Sequence, residues 1–501
     1  MADIVRIEKV DEVYIKVLTD SSLRQELVDY FSFRPPGYQF VPSFKNRIWD
    51  GYIRLFNPMK PYLYGGLLEY LNKFCEDRQY EIQIAPELIP DNKIEDSYVE
   101  ELATDIGAKL KPRDYQIDYV LNALRNNRTL SLSPTSSGKS FIIYLLQQHY
   151  YRTFGHRTLI IVPTISLVHQ MAGDFIDYGC DPDLIYKIQG GVDKKTKASI
   201  VISTWQSLVR QPKEWFDQFK VVLGDEAHLF QAKSLTTIME KLTDAPYRHG
   251  FTGTISSESK VHRLILEGVF GPIKRFVTTK QLMDEGTVAD FKVKGLVLTH
   301  SNETKAQFAK DLKDLKKKNP KKKNLIYVAE REFLFSNEKR NKFIQNLVFS
   351  LKGQNNLILF DWVEKHGKIL EPLLRKEGRV LHFIYGDTPG EERERIRHII
   401  ENDSEKRHDI LASFGTFATG VSVRRIDNAI FASAYKAEIK TLQAIGRTLR
   451  KGNGSDKAVL YDISDDLSYG SFTNYTLQHF RKRVEIYETE QFPYQIYNID
   501  I

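Results

Sequence analysis

At 501 residues and 58.1 kDa the chain is too long to fold around one hydrophobic core, so two to four domains are expected. Its 42% hydrophobic and 27% charged residues, with 29 glycines and 18 prolines, exclude a disordered or fibrous chain. A formal charge of +7, with a pI near 8.9, favours a polyanionic partner only slightly over none.

Met1 to Arg6 carries no apolar core of signal-peptide length, and no stretch approaches an uninterrupted membrane span, so no membrane partner is expected. Cys75 and Cys180 have no neighbours at metal-ligand spacing, which argues against a disulfide or zinc site and for a reducing cytoplasm.

Residues 1–95 are rich in Phe, Tyr and Pro, as in Phe31-Ser32-Phe33 and Trp49-Asp50-Gly51, and read as a small separate α+β domain. Such aromatics form the core of a small domain more often than a stacking platform. The exposed work is therefore assigned to basic residues such as Arg34, Lys45 and Arg47.

From about Lys111 the sequence alternates β-branched runs with helix-length amphipathic stretches, which predicts a parallel sheet covered by helices. Strands are expected at Thr129 to Ser133, Thr158 to Pro163, Ser199 to Thr204, Lys220 to Asp225 and Arg248 to Thr252. The alternation restarts at Asn356 to Asp361, Arg379 to Tyr385, Asp409 to Ser413, Asn428 to Ser433 and Lys457 to Ile463. The fold class is α/β: tandem α/β domains at 96–290 and 351–501, joined by a linker or insertion at 291–350 that holds a lysine run from Lys313 to Lys323. That run is either a solvated helix end or a phosphate contact. Asp462, Asp465 and Asp466 read as a strand end and turn. Phe480-Arg481-Lys482-Arg483 reads as a helix with a basic face.

The first strand runs into Ser133-Pro134-Thr135-Ser136-Ser137-Gly138-Lys139-Ser140 and then an apolar helix, the context a phosphate-binding loop needs. Lys139 is expected on the β- and γ-phosphates and the Ser140 hydroxyl on Mg²⁺. The usual pattern opens with glycine where this chain has Ser133. Asp225-Glu226-Ala227-His228 follows a later strand, where Asp225 is suited to hold Mg²⁺ and Glu226 to polarise water. Gln443 to Arg450 supplies Arg447 and Arg450 on one helical face, able to reach a γ-phosphate across an interdomain cleft. Each motif alone has a plain structural explanation, but their order along the chain makes those explanations jointly improbable.

The set resembles the superfamily 2 helicases from Lys111 to Ile463. In that resemblance Arg113 and Gln116 belong to the adenine-recognising element before the phosphate loop. Pro163, Thr164 and Gln170, then Thr204 and Gln206, match elements that contact the nucleic-acid backbone. Thr252-Gly253-Thr254 is similar to the element coupling hydrolysis to strand contacts, and Leu357 to Phe360 sits where the fourth motif belongs. Thr419 and Gly420 match a motif shared by strand and nucleotide, with Ser422 replacing an acid or amide. Gln443 falls in the last motif with Arg447 and Arg450. Phe31-Ser32-Phe33, Gly37 to Phe40 and Trp49 to Leu55 resemble the N-terminal region of the phage UvsW helicases.

The resemblance implies two RecA-like motors that use ATP and Mg²⁺. It implies action on branched or forked DNA, both duplex and single-stranded, with RNA–DNA hybrids as a further partner. A monomer is expected. An RNA helicase and a restriction-type translocase share such a motor, and a nucleic-acid-binding protein with a dead motor is disfavoured by the full set of Lys139, Asp225, Glu226, Arg447 and Arg450.

Overall fold

The five β-branched runs expected between residues 129 and 252 form strands of one seven-stranded sheet in which every pairing is parallel. This computed structural model describes residues 4–90, 92–134, 137–189, 194–229, 232–253, 260–286, 290–318, 325–351, 355–403, 405–416, 426–433, 457–489 and 491–501. Two units, Met1–Val277 and Thr278–Ile501, divide the chain.

The first unit opens with β1 (Ile4–Lys9), β2 (Tyr14–Leu18), a short hairpin of β3 (Ser32–Phe33) and β4 (Ile53–Arg54), then β5 (Tyr62–Tyr64) and β6 (Glu81–Ile84). Four of these form a sheet in the order β5-β2-β1-β6. Alternation puts Val5 and Ile7 of β1 inward, where they meet Leu23 and Leu27 of the helix Ser21–Tyr30 and Leu71 and Phe74 of the helix Leu68–Arg78. The carboxylate of Asp20 accepts the backbone N–H groups of Ser22 and Leu23, closing the start of the first helix.

The module, expected as a separate domain over residues 1–95, shares its core with a later helix. Val261, Leu264 and Ile265, from the helix Lys260–Phe270, complete its core. Polar contacts reinforce the joint: Tyr14 and Tyr64 donate to the Glu240 carboxylate at 2.9 and 2.7 Å, and Tyr70 donates to Glu267 at 2.7 Å. Arg128 donates to the backbone carbonyl of Glu12. Gly66 passes so close to the same helix that an added Cβ would lie 2.0 Å from the Glu267 carbonyl oxygen.

The central sheet comprises β7 (Arg128–Leu132), β8 (Thr158–Val162), β9 (Ile185–Ile188), β10 (Ile200–Thr204), β11 (Val221–Gly224), β12 (Tyr247–Thr252) and β13 (Ile273–Lys274), ordered β13-β7-β12-β11-β8-β10-β9. Every residue of β8, β10 and β11 is buried, as continuous apolar runs require when helices cover both faces. Ile160 and Val162 face one core and Leu159 and Ile161 the other.

The second unit contains β14 (Asp290–Thr299), β15 (Asn356–Phe360), β16 (Arg379–Ile384), β17 (Arg407–Ser413), β18 (Asn428–Phe431), β19 (Lys457–Asp466) and β20 (Tyr494–Asp500). They form a parallel sheet in the order β16-β17-β15-β18-β19-β14-β20. Both α/β domains therefore have the expected architecture, and each sheet gains strands that sequence patterning missed.

Residues 291–350 are not a linker. β14 lies between β19 and β20, and the helices Asn302–Lys318 and Leu325–Ser336 pack through Phe308, Leu312, Leu334 and Phe335. Lys316, Lys317 and Lys318 end an exposed helical turn, where cations complement the macrodipole; residues 319–324 lie outside the described set.

The expected turn at Asp462 to Asp466 is also corrected: β19 continues through it. Buried Asp465 accepts from Arg340 at 2.9 Å and lies 3.2 Å from His300 Nε2. Burial pushes its carboxyl up, but the Arg340 guanidinium and the His300 contact more than offset that and hold it below the ordinary range. Asp462 pairs with Arg483 at 2.8 Å, so that arginine is buried rather than part of the basic face expected of the helix Tyr475–Thr489.

The joint between the N-terminal module and the central sheet is the feature most sensitive to a single methyl group. Gly66→Ala is expected to destabilise the first unit by roughly 1–3 kcal/mol, because overpacking there meets backbone rather than a movable side chain. Urea unfolding of parent and variant checks this; an unchanged midpoint would show that the interface yields.

Candidate active site

The segment expected to bind phosphate leaves the carboxyl end of β7, and Gly138, at φ 75°, starts the helix Lys139–Phe154. Glycine suits 138 because the backbone there is left-handed, and an added Cβ, 2.4 Å from Gln116 Nε2, would push that side chain aside. Pro134, Ser137, Gly138, Lys139 and Ser140 are described, while Thr135 and Ser136 lie outside the described residues.

The element before the loop grips it from beneath. Buried Gln116 donates through Nε2 to the Ser137 carbonyl at 3.0 Å and accepts the Arg113 N–H at 3.0 Å. The Tyr115 hydroxyl donates to the same carbonyl at 3.0 Å, and Arg113 donates to that hydroxyl at 2.9 Å. Arg113 and Gln116 are thus brought to the loop, with Gln116 bound to its backbone.

Lys139 Nζ points back across the loop, 3.4 Å from the Ser133 carbonyl and 3.8 Å from Glu226 Oε1. Ser140 Oγ lies 2.8 Å from the Tyr178 hydroxyl. Asp225 and Glu226 follow β11, three strands' ends from different points in the sequence thus meeting on one rim.

Asp225 is buried, and its carboxyl is pushed up to about 7, first by burial and then by the neighbouring Glu226 carboxylate; Lys139 pulls the other way. Glu226 takes φ 48°, a left-handed conformation a non-glycine residue adopts at a cost. Its carboxylate lies 3.4 Å from His228 Nδ1, and that nitrogen is 2.8 Å from Thr252 Oγ1 at the end of β12. Burial pushes the His228 imidazole down, and its Nδ1 hydrogen-bonds to Thr252 beside the Glu226 carboxylate. Thr254 lies outside the described residues.

A hydroxyl and a desolvated carboxylate form the hard oxygen donor set that Mg²⁺ takes when nucleotide phosphates complete its coordination. Among the described residues no group of three or more His, Cys, Asp or Glu side chains could hold a metal ion.

The expected strand contacts gather on the same rim. Pro163 and Thr164 follow β8, Thr204 ends β10, and these strands pair in register Thr204 to Val162. Thr164 caps the helix Ile165–Tyr178, its Oγ1 accepting from Leu167 N at 3.3 Å. Gln206 Nε2 lies 3.4 Å from the Pro163 carbonyl, and Gln170 is exposed one turn along the helix. Leu357 to Phe360 is wholly buried in β15. Gln443, Arg447, Arg450, Thr419, Gly420 and Ser422 lie outside the described residues.

Arg34, Lys45 and Arg47 are exposed on the N-terminal module. Arg34 sits over the rings of Tyr38 and Tyr52 at 5.0 and 4.4 Å, and Arg54 over Tyr52 at 5.4 Å. Phe31 is core, as expected of these aromatics, whereas Phe40 is exposed. Sequence reasoning gave no part to Tyr178, which has no local pattern that marks it; Tyr115 stands within the element of Arg113 and Gln116 but received no role of its own. His228 carried a detectable signal, since it completes the Asp225-Glu226-Ala227-His228 run, but received no role.

Comparison with known proteins follows this division of the chain. Residues 4–85 match the family profile "DNA helicase UvsW, N-terminal", residues 109–257 "Type III restriction enzyme, res subunit", and residues 338–452 "Helicase conserved C-terminal domain". The ATP-dependent DNA helicase uvsW of Enterobacteria phage T4 is 33% identical, covering 98% of both chains. The crystal structure of T4 UvsW aligns over 99% of both chains with a TM-score of 0.52 and 29% identity. A DNA 3'-5' translocase, XPB2 of Sulfurisphaera tokodaii, is 27% identical over 72% of this chain and 82% of its own. Because the likeness to the phage T4 protein spans the N-terminal module and both parallel sheets at this identity, the chain belongs to the UvsW family of ATP-dependent DNA helicases.

Proposed function

We propose that this protein hydrolyses ATP to drive itself along DNA and to remodel branched substrates, namely forks, Holliday junctions and R-loops, in recombination, repair and replication restart. The observation carrying this reading is the rim where Lys139 lies 3.8 Å from Glu226 beside buried Asp225, on a chain that shares its full length with a phage DNA helicase. The cytoplasm is the assigned place of work, that of the host cell if the protein is phage-encoded; among the described residues no helix is long and apolar enough to cross a membrane.

Backbone N–H groups of Ser137 and Gly138 are assigned to the phosphates, with Thr135 and Ser136 given the same part and Pro134 opening the loop, and the start of the Lys139 helix adds its positive end. Lys139 leaves Glu226 for the β- and γ-phosphates, freeing that carboxylate to accept a proton from the attacking water. Ser140 and Asp225 hold the magnesium ion, which when bound neutralises phosphate charge. Arg113 and Gln116 face the base, Gln116 exchanging the Ser137 carbonyl for adenine, and Gly420 completes the nucleotide contacts. Gln443, Arg447 and Arg450 are assigned to stabilise charge on the transferred phosphate.

Thr164, Thr204 and Thr419, with Pro163, Gln170 and Gln206, grip phosphates of a single strand, and such contacts carry no base readout. Arg34, Lys45 and Arg47 contact the duplex arms from the N-terminal module.

Lys139→Ala is expected to lower ATP turnover by at least about a hundred-fold, on the scale of losing one preorganised electrostatic donor. Its thermal melt should match the parent; undiminished ATPase activity would end the assignment. In parallel, ATPase assays with single-stranded DNA, duplex, four-way junction and RNA should rank the junction highest and RNA lowest. Arg34→Ala/Lys45→Ala should weaken junction binding, the slope of log affinity against log salt falling by about 1 for each phosphate that the variant no longer neutralises. Equal stimulation by RNA would move the reading to an RNA helicase.

Asp225 supplies a pH test. Its folded-state pKa is raised, so the stability it contributes is complete below the ordinary carboxyl value of 3.8 and is lost as pH rises towards about 7. Asp225→Asn removes that loss. In magnesium-free buffer the variant's melting temperature should gain on the parent between about pH 4 and about pH 7, by at least roughly 2–4 °C. Added Mg²⁺ at about pH 8 should stabilise the parent and not the variant. A constant gap across this range would mean that Asp225 does not sit protonated in the metal-free protein.

A further inference from the structure

The helix Ile165–Tyr178 begins at Thr164 on the strand-facing rim and ends at the nucleotide loop. Its last residue, Tyr178, is fixed from several sides. The ring packs edge-on against Phe141 at 5.0 Å and tilted against Tyr144 at 5.7 Å, both from the helix that starts at Lys139. The Tyr178 carbonyl accepts the Lys109 N–H at 3.4 Å, and Gly179, at φ 110°, turns the chain away immediately afterwards. A phenol held this way has little choice of direction, and its oxygen lies 2.8 Å from Ser140 Oγ.

A serine that ligates a cation must direct an oxygen lone pair at it, so its own proton has to point elsewhere and needs an acceptor. We propose that Tyr178 is that acceptor: the Ser140 O–H donates to the Tyr178 phenol oxygen, which positions the serine to bind the magnesium of the nucleotide. The inference rests on the assignment of Ser140 as a metal ligand given above. No bond is made or broken; one hydrogen bond is held through the cycle, and the role is that of an outer partner orienting a ligand.

The test is equilibrium binding of a fluorescent, non-hydrolysable ATP analogue to the full chain, titrated with Mg²⁺ and repeated in EDTA. Tyr178→Phe keeps the ring and its packing and loses only the hydroxyl. It should raise the Mg²⁺ concentration for half-maximal binding by about ten-fold, the lower end of what losing an outer partner costs. Affinity in EDTA should stay at the parent value. Phe141→Leu loosens the ring packing but keeps both hydroxyls, and should stay close to the parent in Mg²⁺ requirement.

An unchanged Mg²⁺ requirement in Tyr178→Phe, or an equal loss with and without the metal, overturns the proposal. A lowered requirement also overturns it, since it would show that the phenol blocks the serine rather than orienting it. Ser140→Ala separates the two levels of inference. If it keeps the parent's Mg²⁺ response, the ligand assignment itself fails; if it loses that response while Tyr178→Phe behaves as parent, only the role of Tyr178 fails.

Discussion

Two adjacent carboxylates and one ammonium share a poorly hydrated rim at the end of a buried strand, and much of the first unit is arranged around that charge problem. β11 is buried along its length, so Asp225 leaves the sheet in a place where ionisation is penalised. Lys139 supplies the compensating charge from the neighbouring loop. A site left in this state stores a demand for cations, which substrate phosphates accompanied by a divalent metal can meet. Glu226 adds backbone strain to the same point, which the surrounding bonds to Asp225 and His228 hold in place.

The second organising feature is the union of the N-terminal module with the helices that follow the motifs. Glu240 closes the segment after Asp225-Glu226-Ala227-His228 and receives two tyrosine hydroxyls from the module. The helix Lys260–Phe270, which follows the Thr252-Gly253-Thr254 segment, gives three side chains to the module's core. Truncation at residue 95 would strip the cover from Val261, Leu264 and Ile265, so point substitutions on the module surface are the cleaner probe of its role.

Much of this was legible from the sequence where local chemistry is decisive. Runs such as Thr158-Leu159-Ile160-Ile161-Val162 suit only a strand buried on both faces. Gly138-Lys139-Ser140 and Asp225-Glu226 declare themselves by type and order. What stayed hidden depends on partners remote in the chain. β14 reads as polar because Lys292 and Lys294 interrupt Phe291 and Val293, and only its neighbours β19 and β20 make it a strand. Asp465 suggested a turn because its neutralising arginine, Arg340, lies in a different element. Val261, Leu264 and Ile265 follow an ordinary helical period, and nothing local shows that they face residues from the start of the chain. Tyr178 is separated from Ser140 by 38 positions and carries no motif.

The tyrosine–carboxylate seam has a geometric consequence for how such a protein handles its substrate. In the proposed assignment the basic surface of the module grips one arm while the rim at β8 and β10 grips a single strand, and both belong to one compact unit. Joined through that seam, the two footprints would work like the jaws of one calliper: in that assignment a substrate would be selected by whether its branch lets an arm and a strand reach both jaws together, so that shape is measured without any base being read.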